Sequence, residues 1–285
     1  MGTWSNTLLG DVQGQKYPGY GVCIYCGSDG GADGLRDEHI IPFALNGNAI
    51  IKEASCTTCE KKINPVDHLA KDVFWNYRLL IGAQTRNPKQ RPNVLPATFE
   101  TGDNEISRDL PIQDFRFVTA LPIWGKAGFF RSAPIDASFP AETFFHVYHW
   151  MPPNITETLG IPNDDDLKVR SSFRANVELF ARAIAKIAYC HTVIKYGLNG
   201  FRRLSLPNVI LGECPAAAYF VGTPLTLPSP PLPDKVLHMV QHVNLTSNSG
   251  SLKLNLVYVR LFAHCAYKQH GMPIYHVITG APKSS

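Results

Sequence analysis

Apolar side chains return every three, four or seven positions between residues 173 and 196. Phe173, Val177, Phe180, Ile184, Ile187 and Ile194 define one helical face, and Gly197 follows as a stop. Arg174, Glu178, Arg182 and Lys186 step by four along another face of the same helix, which reads as a solvated stripe. Elsewhere the period is two. Leu252, Leu254, Leu256 and Tyr258 alternate with Lys253, Asn255, Val257 and Val259, the pattern of a strand buried on one side. The polar run 246–251 joins that strand as a hairpin to one at 236–240, and residues 274–278 predict a last strand. Short apolar runs at 115–125 and at Phe129-Phe130 predict further strands. The Pro-rich stretch 228–233 and the polar, basic, proline-broken stretch 84–92 read as connectors.

These elements divide the chain into a lead-in at 1–20, a cysteine-bearing module at 21–92 and a region of mixed strands and helix at 93–285. The expected class is α+β: a small N-terminal metal module, then a domain with one long helix and antiparallel strands. A hydrophobic fraction of 45% over 285 residues supports a packed core rather than disorder. The net charge of +4 is compatible with a polyanionic partner but does not demand one. The first residues lack a basic, then apolar, leader, and the long helix carries too many charges to span a bilayer. The expectation is a cytoplasmic protein with no membrane partner.

Chemistry concentrates in the module. Cys23-x-x-Cys26 and Cys56-x-x-Cys59 are two CxxC pairs, while Cys190, Cys214 and Cys265 are scattered and read as small hydrophobes. Four thiolates at this spacing satisfy tetrahedral Zn²⁺, and the ion supplies folding energy that so short a segment lacks. Between the pairs lies Glu38-His39-Ile40-Ile41-Pro42, followed by Leu45-Asn46-Gly47-Asn48.

The run of Cys23-x-x-Cys26, Glu38-His39-Ile40-Ile41-Pro42, Leu45-Asn46-Gly47 and Ala54-Ser55-Cys56-Thr57-Thr58-Cys59 resembles the HNH endonucleases of the treble-clef, ββα-metal kind, HNH_5-like in detail. The resemblance covers residues 23 to about 92. It implies a structural zinc on Cys23, Cys26, Cys56 and Cys59, and a catalytic Mg²⁺ or other divalent cation. His39 would be the general base for hydrolysis of DNA, leaving 5′-phosphate and 3′-hydroxyl ends. Glu38 would be one cation ligand. The second would come from the helix after the fourth cysteine, where the family often has Asn or His and this chain has Glu60. Asn64, Asp67 and His68 are alternatives on the same stretch, and Pro65 predicts a break or kink there.

The residue that orients the histidine in such proteins corresponds to Asn46 or Asn48, a segment equally readable as a simple turn. Lys52, Lys61, Lys62, Arg86, Lys89 and Arg91, with Lys71 and Arg78, are candidate phosphate contacts. His146/His149 and His238/His242 are weaker metal pairs with no carboxylate context. The alternative function is a zinc-dependent nucleic-acid-binding protein without catalysis. A homo-oligomer, or an unidentified partner bound through the C-terminal region, stays open.

Overall fold

The computed structural model describes residues 15–83, 85–101, 104–115, 117–140, 143–150, 167–169, 176–223, 237–247, 252–263 and 272–283, with 157, 160 and 250 singly. Most of the lead-in, Arg174, Cys265 and the Pro-rich 228–233 lie outside the described residues.

Three strands and a helix form the N-terminal unit: β1 (Lys16–Tyr17), β2 (Leu35–His39), β3 (Ile50–Cys56) and α1 (Thr57–Val73). The sheet order is β1-β3-β2, with β2 antiparallel to β3. The β2–β3 turn holds Asn46 at φ 69° and needs Gly47, because a Cβ there would sit 2.0 Å from the Ile41 carbonyl oxygen. The ladder is irregular between Arg36, opposite Ser55, and Glu38, opposite Ile51. Glu53, inside that irregularity, has φ 46°. Such a bulge re-aims the strand end that carries Glu38 and His39.

Helix α1 buries Cys59, Ile63, Val66 and Ala70. It also continues through Pro65 without the break that the sequence allowed there. The proline has no N–H to donate to the Lys61 carbonyl, but both residues are exposed, so that carbonyl is open to donation from water instead. Helix α2 (Trp75–Leu80) follows, and the 84–92 connector holds one short 3-10 turn at Pro88–Gln90.

In the C-terminal region, α3 (Val177–Tyr196) begins at Asn176, whose side chain accepts from the Leu179 N–H at 2.9 Å, and stops at Gly197, φ 71°. It lies on a sheet of order β10-β13-β12-β11: β10 (Val221–Gly222), β13 (Tyr275–Pro282), β12 (Lys253–Arg260) and β11 (Met239–Thr246). A further strand, β9 (Phe201–Arg202), pairs with β13. The β11–β12 hairpin is where the pattern put it, with Thr246 opposite Lys253. Its second strand is not half-buried, however. Asn255, Val257 and Val259 are buried along with Leu254 and Leu256, because β12 is a central strand beneath α3.

The stripe on α3 is likewise not solvated: Lys186 is fully buried, and Arg182 donates twice to the Ile210 carbonyl, at 3.1 and 2.9 Å. Ala181, Ala183, Ala185 and Ala188 leave this helix without a polar face, so it is enclosed on all sides.

Smaller sheets are β5-β4-β8, from β4 (Val94–Thr101), β5 (Asn104–Pro111) and β8 (Leu167–Val169), and the pair β6 (Phe117–Ile123) with β7 (Phe144–Trp150). Phe129 and Phe130 form a 3-10 turn at Gly128–Arg131 rather than a strand. That turn seats the two rings against Tyr219 and His276, each at 5.7 Å. One apolar cluster is continuous from Ile24, Ile40, Ile51 and Val66 to Phe180, Ile184, Val257 and Val277, so α3 is packed by both regions. Among the described residues no helix is long and apolar enough to cross a membrane.

Candidate functional site

Two centres lie on the β2–β3–α1 unit. In the first, Cys23 and Cys26 come from a tight turn closed by Cys23 N–H to Ser28 (2.6 Å) and Gly27 N–H to Cys23 (2.9 Å). Cys56 caps α1 and Cys59 sits in its first turn. All four sulfurs lie within 4.8 Å of one another, and those of Cys26 and Cys56 are 3.7 Å apart. Thiolates about 2.3 Å from a tetrahedral ion would be roughly 3.8 Å apart, so this donor set fits zinc. Burial, then the neighbouring thiols, holds the Cys59 thiol well above its usual range. Four thiolates in this space are tenable only around a cation. Among the described residues this is the only group of three or more His, Cys, Asp or Glu side chains placed to hold a metal. Purified protein should carry one zinc per chain. Cys26→Ser, at an exposed position, should release it and lower the melting temperature by more than 10 °C, read by metal analysis and circular dichroism. An unchanged melting temperature in zinc-free protein would contradict a structural ion.

The second centre was only half visible in the sequence. Glu38 is buried, and its Oε1 lies 2.7 Å from Nζ of Lys186 on α3. The same ammonium donates to the His39 carbonyl at 2.5 Å and lies 3.3 Å from Asp67 Oδ1 on α1. Its three protons are thereby shared among a strand, a helix and a strand backbone. Burial acts against the charge on Lys186, but Asp67 and then Glu38 outweigh it and hold the pKa above its ordinary value. Burial pushes the Glu38 carboxyl above its usual range, while Lys186 opposes that.

Tyr25 joins the cluster, its buried hydroxyl lying 3.4 Å from Cys190 Sγ, and the Tyr189 hydroxyl donates to the Ile24 carbonyl at 2.5 Å. The long helix thus grips both the zinc turn and the strand bearing the histidine. Lys186, Tyr25 and Tyr189 were missed from the sequence. The available signal was a lysine set among Ala183, Ile184, Ala185, Ile187 and Ala188, with apolar neighbours on every side.

His39 itself is half-buried, with its ring edge-on to Phe43 at 5.8 Å. Burial, then the charge of Lys186, lowers its pKa below the ordinary histidine value. Asp67 Oδ1 is buried with the Lys186 ammonium as its charged neighbour, and Oδ2 accepts from the same ammonium at 3.5 Å. The other candidates are dispersed. Glu60 is drawn to Arg36 (3.2 Å), and Asn64 and His68 are exposed on α1. Asn46 occupies the left-handed turn position and Asn48 is half-buried.

Of the basic residues, Lys52 pairs with Asp37 (2.5 Å) and Lys62 with Glu213 (2.6 Å), while Lys61, Arg86 and Lys89 are exposed. Arg91 donates to the Ala83, Arg78 and Leu79 carbonyls, closing the end of α2. Neither weaker histidine pair falls in a metal-holding group among the described residues, and the His149 side chain lies outside them. His238 is bonded to the Leu45 carbonyl (2.6 Å) and accepts from Phe262 N–H (3.1 Å), His242 stacks on His191 (4.7 Å), and His146 is exposed on β7.

A zinc-fitting ββα unit with a histidine at the end of its first long strand defines a class, and the comparison with family models agrees: residues 23–72 match the model described as HNH endonuclease. The match takes in all four cysteines, Glu38, His39, Glu60 and Asp67, and stops short of the region that supplies Lys186. Searches among curated proteins and among solved structures return no match.

Proposed function

We propose that this chain is a metal-dependent endonuclease that hydrolyses DNA phosphodiesters, with residues 21–92 as the nuclease part and 93–285 as the region that braces it. The observation carrying this reading is the environment of His39: a half-buried imidazole at the end of β2, its pKa lowered by burial and by Lys186, hence a free base at neutral pH. Such a base accepts the proton of an attacking water.

Of the carboxylates, Asp67 is the more open to a hard divalent cation of the Mg²⁺ type, because it is less buried than Glu38 and holds the Lys186 ammonium more loosely, at 3.3 Å against 2.7 Å. When bound, that ion would supply charge compensation on the phosphate. Glu38 is committed to Lys186 and balances its charge, so its part is to hold β2 in place. Lys186, fully buried, cannot touch a substrate and is a positioning residue acting through the His39 carbonyl.

His39→Ala should reduce Mg²⁺-dependent plasmid cleavage by roughly 100- to 10,000-fold with zinc content and melting temperature retained. The second reading, binding without catalysis, is favoured by the same neutralised Glu38. It predicts wild-type protein that binds DNA in Mg²⁺ and never nicks it.

A further inference from the structure

Beyond the zinc centre, the stretch after α1 folds back to make a second concavity. A cavity of about 240 Å³ is lined by Lys71, Arg78, Arg86 and Arg91, with Trp75 on its wall and the polar side chains of Asn87 and Gln90 nearby. Its lining, among the described residues, contains four cations and no carboxylate, and the nearest counter-charge is the exposed Asp72, 3.5 Å from the Lys71 ammonium. Arg78 is buried; burial first, and then the charge of Arg91, disfavours its cation, while Asp72 partly offsets them. Bringing like charges together beside a partly dry surface is unfavourable until an anion arrives.

Trp75 is 41% exposed, unusual for the largest side chain, and Arg78 lies 6.0 Å from its ring centre. The concavity is joined to the histidine strand. Arg78 Nε donates to the Ala44 carbonyl, in the turn that follows Pro42, and the field of Arg86 reaches His39. At this volume the cavity falls below the roughly 300–1,000 Å³ typical of drug-sized ligands, which suits a single nucleotide unit.

We propose that this cavity is a subsite for one unpaired nucleotide of the substrate strand, its base on the Trp75 indole and its phosphate among Lys71, Arg86 and the Arg78–Arg91 floor. A base held within a duplex is stacked on both faces and cannot take that position, so the subsite selects single-stranded, gapped or branched DNA. The inference rests on the nuclease reading for its substrate class, and binding can be measured apart from cutting.

The test uses full-length His39→Ala protein, zinc-loaded and unable to cleave under the reading above. Fluorescence anisotropy would compare a labelled single-stranded oligodeoxynucleotide with the blunt duplex of the same sequence. Single strand should bind more tightly. Adding Trp75→Ala should weaken single-strand binding by roughly 5- to 100-fold while leaving duplex binding unchanged, and Trp75→Phe should restore most of it. Arg86→Ala should reduce the slope of log affinity against log salt by about one. Both side chains are exposed, so unchanged melting temperatures are expected for these variants. Equal affinity for the two probes, or a Trp75→Ala protein that binds single strands as before, would overturn the subsite. Absence of cleavage by the wild-type chain, with the Trp75 effect intact, would remove the nuclease reading and leave the subsite standing.

Discussion

Replacing Lys186 with methionine is expected to destabilise the protein by about 3–5 kcal/mol and to abolish cleavage with it. Methionine keeps the length of the side chain, so packing on α3 is nearly conserved. What is lost is the ammonium between Glu38 and Asp67 and the bond to the His39 carbonyl. An unpaired carboxylate is then left in an apolar setting, which is where most of the penalty arises. Glu38 would take up a proton to escape it, so its folded pKa would lie further above the unfolded value. The deficit should therefore be fully felt at neutral pH and should narrow as pH falls toward the carboxylate range.

Pairing Lys186→Met with Glu38→Gln removes both charges and should recover part of the lost stability. Lys186→Arg should not, since a planar fork cannot occupy the space of a compact ammonium. Urea unfolding of wild type, Lys186→Met, Glu38→Gln and the double variant forms a double-mutant cycle. A Lys186→Met protein within 1 kcal/mol of wild type would mean that the cluster contributes nothing, and the bracing role would go with it.

A steep loss of stability between pH 6.5 and pH 4 is the other large effect expected. His191, His238 and His276 are buried with pKa values lowered to about 4, and His242 to about 3, in each case chiefly by burial. His238 and His276 also accept backbone N–H bonds, from Phe262 and Ala127, which a protonated ring could not do. His191 and His242 stack on each other, and among the described residues no hydrogen-bond partner reaches their ring nitrogens.

In the unfolded chain these rings titrate near 6.5, so below that pH the unfolded state binds more protons and stability falls. It goes on falling until the folded pKa values are reached. At pH 5 each ring accounts for about 2 kcal/mol, from about 1.5 units at 1.36 kcal/mol each. Four such rings together approach the whole stability of an ordinary domain. His242→Phe keeps a stacked ring that cannot titrate and should be more stable than wild type at pH 5 by about 2 kcal/mol, with little difference at pH 7.5. Thermal melts at the two pH values, with zinc release followed in parallel, decide this. A wild-type melting temperature that is flat from pH 7 to pH 5 would contradict it.

The zinc turn and the histidine strand were legible because their chemistry is local. Two CxxC pairs state a tetrahedral thiolate site whatever surrounds them. Asn46-Gly47 states a turn, and Gly197 ends a helix whose periodicity is plain, although its cap at Asn176 was not marked by the pattern. The antiparallel hairpin before the last strand was equally readable from period-two alternation.

Which face of each element meets which neighbour was not readable, since that depends on residues far away in the chain. Periodicity put Lys186 on a stripe with Arg182 and Glu178, and it could not say that α1 and β2 would cover that stripe. It marked one face of β12 as polar, without knowing that the strand would be central. The resemblance put Glu38 first and Glu60 second as cation ligands, with Asn64, Asp67 and His68 as alternatives. Tertiary packing separated them by giving Glu38 and Asp67 a shared ammonium, Glu60 an arginine, and Asn64 and His68 open solvent. A side chain's charge state and accessibility are set by what lies within a few ångströms of it in space, and a linear pattern records only what lies beside it in the chain.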